Sequence, residues 1–128
     1  MSTIRAATLS NVAGTGSPSI AGGELSRARF NLNGTGTIAA RDSFNIASFT
    51  DNGTGNYTAN FSTAFPNVDY AHAGAAATGS GGFINSGSAA SRLTSSMQFF
   101  TVYPSDTAGT TAPRDYDTVT MAIFGDIP

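Results

Sequence analysis

The chain has no cysteine, no lysine and no tryptophan, and only one histidine, His72. Each absence closes a class of explanation. Without cysteine there is no disulfide framework, and a single imidazole with no thiol cannot build a zinc or iron cluster to staple a small fold. Without lysine the glycine-rich runs cannot end in the Gly-Lys-Ser/Thr that a phosphate loop requires. All six basic residues are arginine, scattered at Arg5, Arg27, Arg29, Arg41, Arg92 and Arg114 in a chain of formal charge −2. They form no basic stripe to follow a nucleic-acid backbone. No run of about 18 apolar residues is present to span a membrane as a helix. The opening Met-Ser-Thr-Ile-Arg lacks the apolar stretch of a signal peptide, so the expected product is made in the cytoplasm.

Large apolar side chains are also scarce. Of 128 residues, 27 are Leu, Ile, Val, Phe or Met, and much of the remaining hydrophobic content is alanine. The length suits one ordinary domain, since single domains most often run to about 100–150 residues. A small domain with so thin a core usually needs disulfides, metal or partner chains. With the first two closed, a homo-oligomer is expected.

What is present is β-forming sequence. Gly, Ser, Thr and Asn interrupt every window long enough for a helix, whereas Tyr57-Thr58-Ala59-Asn60-Phe61 and Arg29-Phe30-Asn31-Leu32 alternate apolar with polar. Stretches 37–41, 44–49, 68–73, 97–103 and 119–124 complete about seven strand candidates. The fold class expected is all-β, a compact antiparallel β-sandwich-like domain. Residues 1–26, small and polar, are read as an extended N-terminal arm, and 27–128 as the β-domain. Asn33-Gly34-Thr35-Gly36 and, nineteen residues on, Asn52-Gly53-Thr54-Gly55 read as hairpin turns, because Asn-Gly tolerates the positive φ of a tight turn. The glycine-rich stretch 74–82 and the stretch 103–114 read as mobile loops.

Few residues could carry chemistry. His72 is the one candidate base, and it lies in an alternating Asp69-Tyr70-Ala71-His72-Ala73 segment with no nucleophile motif nearby. Asp115 and Asp117 are the closest carboxylate pair, the minimum a glycosidase needs, but they sit between Arg114 and Tyr116 in what reads as a solvated loop. The Asp51–Asn56 stretch lacks the spaced carboxylates and terminal Glu of a calcium loop. Four Asn-x-Ser/Thr matches, at Asn33, Asn52, Asn56 and Asn60, follow from turn and strand composition. No catalytic, cofactor-binding or metal-binding residue is therefore assigned, and the chain is expected not to be an enzyme.

Taken as one string, Arg27 to Phe65 resembles the C-terminal module of small tail-fibre-type virion proteins of tailed bacteriophages, of the kind with marine and cyanobacterial hosts. The shared pattern is an aromatic strand, Asn-Gly-Thr-Gly-Thr, an Arg-x-Ser-x-Asn strand, then Thr-Asp-Asn-Gly-Thr-Gly, Tyr-Thr and a Phe-containing strand. Met-Ser-Thr-Ile-Arg at the start and Ile123-Phe124-Gly125-Asp126 near the end resemble the same proteins. Two departures stand out: Phe30 occupies the place of the family's usual Trp, and residues 73–118 match nothing in the pattern. The resemblance implies a virion location after synthesis in the bacterial host and carries no mechanism; the leading expectation is a tail fibre or fibre tip whose exposed loops touch host-surface polysaccharide. It further implies an arm bound to another virion protein. A homotrimer sharing one core fits both readings, with Phe99, Phe100, Val102, Ile123 and Phe124 as core and inter-protomer packing residues. Tyr103, Arg114, Asp115 and Tyr116 are the candidate exposed binding loop. The rivals are a head fibre, capsid decoration or tail connector without a receptor, and a small glycan depolymerase using Asp115.

Overall fold

The computed structural model describes residues 25–78, 80–85, 91–104 and 111–126. The expected arm falls almost wholly outside the described residues, as do 105–110 of the expected loop. The described residues contain nine strands and no α-helix. They are β1 (Ala28–Asn33), β2 (Ala39–Phe44), β3 (Ile46–Asp51), β4 (Asn56–Phe61), β5 (Ala71–Thr78), β6 (Ser80–Asn85), β7 (Ser96–Pro104), β8 (Thr111–Pro113) and β9 (Thr118–Phe124). The all-β expectation holds, with more strands than the seven or so expected.

Every pairing between these strands is antiparallel, and the order across the sheet is β2-β1-β9-β5-β6-β7-β4-β3, with β8 added beside β7. The sheet curls until it is nearly closed, so that β3, at one end of the order, lies against β1 and β2 at the other. Asn45 makes this closure possible. Its φ of 57° ends β2, and its side-chain amide then ties three segments together: Nδ2 donates to the Arg27 carbonyl (3.1 Å) and the Thr63 carbonyl (3.1 Å), and Oδ1 accepts from Thr63 N–H (2.7 Å). Left-handed backbone is open to Asn at low cost because its short amide can bond locally. The expected single strand 44–49 is accordingly split at Asn45 between β2 and β3.

Alternation fills the interior. Phe30 and Leu32 of β1, Tyr57, Ala59 and Phe61 of β4, Met97 and Phe99 of β7, and Val119, Met121 and Ile123 of β9 are all buried. The two halves of the sheet meet through aromatic rings. Phe30 lies 5.3 Å from Phe99 and 5.0 Å, edge-on, from Phe49 of β3. Truncating such a ring typically costs about 3–5 kcal/mol, so Phe30 serves as the centre of the core. At one end Phe61, Phe65 and Tyr70 close the interior with centroids 4.8 to 5.9 Å apart. The Tyr70 hydroxyl donates to the Leu93 carbonyl at 3.1 Å, and burial pushes its pKa up to about 12.

The glycine-rich stretch corrects the sequence reading. Apart from residue 79, residues 74–82 belong to the β5–β6 hairpin rather than to a mobile loop. Its small residues are there for packing: a side chain at Gly82 would collide with the ring of Tyr116, and one at Gly74 with the Thr120 carbonyl. Low side-chain volume signals a loop in sequence, but here it lets neighbouring backbone and the Tyr116 ring approach closely.

Candidate functional site

The two Asn-Gly-Thr-Gly turns lie far apart in sequence, but they converge on one segment, Arg114-Asp115-Tyr116. Gly34 N–H donates to the Tyr116 carbonyl at 2.9 Å. Gly55 N–H donates to Asp115 Oδ1 at 2.7 Å, and the Gly55 carbonyl accepts from Thr101 N–H at 2.8 Å. Between the two turns stands Tyr57, fully buried, whose single hydroxyl proton is shared between Asp115 Oδ1 (2.6 Å) and the Gly34 carbonyl (2.8 Å). Desolvation, reinforced by the Asp115 carboxylate, holds the Tyr57 phenol well above its ordinary pKa, so it remains the donor. Thr101 completes the joint: it is buried, its hydroxyl donates to the Arg114 carbonyl at 2.6 Å, and its own carbonyl accepts from Arg114 N–H at 2.9 Å.

This geometry relocates half of the expected exposed loop. Tyr103 and Arg114 are exposed, with the Arg114 guanidinium 5.8 Å from the Tyr103 ring and 5.7 Å from the Tyr116 ring. Tyr116, expected to be exposed, is instead 1 % exposed and belongs to the core. Reading residues 114–117 as a solvated loop hid this, and alternation would not have found it. The buried residues of β9 are Val119, Met121 and Ile123, and counting back in steps of two would turn Tyr116 outward. The bend at Asp117 breaks that phase. Asp115 is half-buried and occupied by Tyr57 and Gly55, which argues against a free general acid or base at that position.

The expected packing residues divide similarly. Phe99 and Ile123 are completely buried within the chain itself and Val102 nearly so, which leaves them no surface to offer a second copy. Phe100 and Phe124 are half-buried and point outward, on opposite halves of the sheet. His72 is partly buried. Its Nδ1 has no hydrogen-bond partner, and desolvation, then the Arg92 charge, lowers its pKa below the usual histidine value. A base oriented by a carboxylate is not what this ring resembles. Among the described residues no group of three or more His, Asp or Glu is placed to hold a metal ion.

The outer surface has two different faces. On the β2-β1-β9-β5 half, Ala71, Ala73, Ala75 and Ala77 form a stripe beside Thr118, Thr120, Ala122 and Phe124. Phe44, 54 % exposed, and the exposed Arg29–Asp42 ion pair border it. Asp42, Arg29, Thr120 and Ala73 line a shallow open groove of about 330 Å³ there. On the β3-β4-β7-β6 half the strands stack in register into three outward rows. The first is Asn56, Phe100 and Asn85; the second Thr50, Thr58 and Gln98; the third Ser48, Asn60 and Ser96. Eight of these nine side chains are neutral hydrogen-bonding groups and none is charged. Sequence reading missed this face because it followed the inward phase of each strand and treated the alternate polar residues as solvent-facing filler.

No protein-family model, curated protein or solved structure matches this chain.

Proposed function

We propose that the chain is a structural, non-enzymatic component of a bacteriophage virion, a tail fibre or fibre-tip protein that contributes to host-surface attachment. The observation that carries this reading is the fate of the Arg27–Phe65 string that resembles phage fibre proteins. Much of that string is used mechanically, as two turns that grip Arg114-Asp115-Tyr116, a left-handed corner at Asn45, and strands that bury Phe30 and Phe61. A motif whose buried residues and turns serve as joints suits a particle part more than a reaction centre. Asp115, the carboxylate a depolymerase would have to use, is held in one of those joints.

On this reading the two halves of the sheet act as the layers of a sandwich, and three copies assemble into a homotrimer. The alanine stripe, with Phe44 and Phe124 at its margins, is the surface best suited to bury between them, since small side chains allow close approach and the flanking rings supply apolar area. Residues 1–26 attach the fibre to another virion protein, and host-surface polysaccharide is the receptor. Antibody labelling of intact particles is the direct test. Label at the tail tip, together with inhibition of adsorption by the purified protein, is expected. Label confined to the head would replace this reading with a head fibre or decoration protein. Phe124→Asp is expected to disperse the trimer in sedimentation experiments.

A further inference from the structure

We propose that the outward face of β3, β4, β7 and β6 is a binding platform for a neutral polysaccharide, a specific site within the attachment reading, on which this inference rests. The receptor contact then lies on the outer face of the sheet and not in the loops.

Three features point to this ligand. The first is the order already present in the polar side chains. Asn60 Nδ2 donates to Ser48 Oγ (3.1 Å) and Thr50 Oγ1 (3.2 Å), Asn52 Nδ2 to Thr58 Oγ1 (2.9 Å), and Gln98 Nε2 to Asn56 Oδ1 (2.9 Å). These cross-strand bonds fix rotamers that would otherwise have to be frozen on binding, which lowers the entropic cost of association. They also use amide N–H groups as donors, so the Asn60 and Gln98 amide oxygens are not consumed in these bonds and stand beside hydroxyls that accept and can still donate. Such alternating acceptors and donors match the vicinal hydroxyls of a sugar, each of which both donates and accepts.

The second feature is charge. The three rows carry none, although the chain holds fourteen formally charged residues. An acidic glycan or a nucleic acid would find no cation to pair with. A second copy of this chain is a poor occupant as well, because burying eight polar groups around one ring would leave many of them unsatisfied. The third feature is an aromatic corner. Phe100 is half-buried in the first row, and Phe83, 60 % exposed, stands in the adjoining row opposite Val102. A ring kept in water beside ordered amides offers a surface on which the C–H face of a sugar can stack. Single contacts of this kind are weak, and several copies on one fibre would multiply them.

Affinity electrophoresis of the full chain tests the proposal, using gels containing a β-glucan, a mannan or a galactan as neutral probes and alginate as an acidic one. At least one neutral polysaccharide is expected to retard the protein, with retardation unchanged by added salt. Phe83→Ala, at an exposed position, should weaken binding about tenfold. Asn60→Ala and Gln98→Ala should each weaken it about fivefold, the loss of roughly one hydrogen bond. Val68→Thr, at an exposed position in neither the polar rows nor the alanine stripe, should leave binding unchanged, and matching melting temperatures show that the variants are folded. Retardation by none of the neutral probes overturns the proposal. So does retardation by alginate alone, or binding that all three platform variants leave intact. Particle labelling keeps the two readings apart: tail-tip label without neutral-glycan binding defeats this platform only, whereas platform binding by a protein located on the head defeats the tail-fibre reading only.

Discussion

The chain contains the same four residues twice, and the two copies behave differently. In Asn33-Gly34-Thr35-Gly36 the first glycine is buried and the second is in the open; in Asn52-Gly53-Thr54-Gly55 the order is reversed. Gly34 has no positive φ. It is a glycine because an added Cβ would lie 2.7 Å from the Tyr57 hydroxyl and 2.9 Å from the Tyr116 carbonyl. Gly36 and Gly53 are glycines for the opposite reason, with φ of 63° and 114° and empty space around them. Gly55 combines both constraints: φ is 62°, and a Cβ would meet Arg114 N and the Thr101 carbonyl at 2.6 Å. One tetrapeptide thus answers two separate demands, the backbone angle of a turn and the close approach of another strand, and in each copy it is the next segment of chain that decides which glycine meets which.

Gly55→Ala should break this comparison most severely. It forces an L-residue into left-handed backbone, at about 1–2 kcal/mol, and drives a methyl into two backbone groups that cannot swing aside. A loss above about 4 kcal/mol is expected, a large share of the roughly 5–15 kcal/mol that stabilises a typical domain. Chemical denaturation should show a chain unfolded or nearly so. Gly34→Ala comes next, at about 2–3 kcal/mol. The Tyr57 hydroxyl is the far end of a side chain and can retreat, but the Tyr116 carbonyl is backbone and resists. If Gly34→Ala proved harmless, Tyr57 would have to be free to move, and its place as the shared post of both turns would be lost.

Tyr57→Phe probes that post directly. Removing the hydroxyl deprives Asp115 and the Gly34 carbonyl of their common donor in a half-buried setting, and about 1–3 kcal/mol should be lost on denaturation. Because Tyr57 and Asp115 share a bond, the double variant with Asp115→Asn should cost less than the two single losses added together. Additive losses would mean that the two turns are fastened to residues 114–116 independently.

How much of this was legible in the sequence depended on whether a signal was local. The strands around Phe30 and Tyr57 were readable because alternation is a property of consecutive residues, and so were the hairpins because Asn-Gly is a local preference. The meeting of both turns at Asp115 was not, since nothing in the spacing of residues 34, 55 and 115 marks them as neighbours. The β5–β6 hairpin was hidden for a different reason: its Ala and Gly residues satisfy partners such as Tyr116, and small volume carries no period. Tyr116 itself reads as part of an exposed loop, and the bend at Asp117 puts it out of phase with the inward residues of β9, so alternation gives no warning that it is buried. The polar platform was written in the sequence as the even positions Thr58, Asn60, Ser96 and Gln98, but only the register of β4 on β7 aligns them into rows.

The smallest effects are the most discriminating, because they separate the two open glycines. At φ 63°, Gly36 lies in the left-handed α well that Asn reaches with little penalty, whereas φ 114° at Gly53 lies well outside it. Gly36→Ala is expected to cost about 1 kcal/mol, and Gly36→Asn only a few tenths. Gly53→Ala and Gly53→Asn should cost about 1–3 kcal/mol each, with asparagine giving no relief. Thermal melts of the four variants would resolve the difference. If asparagine rescued position 53 as well as it does 36, the second turn could relax into the geometry of the first, and the two copies would differ in what they touch and not in how they bend.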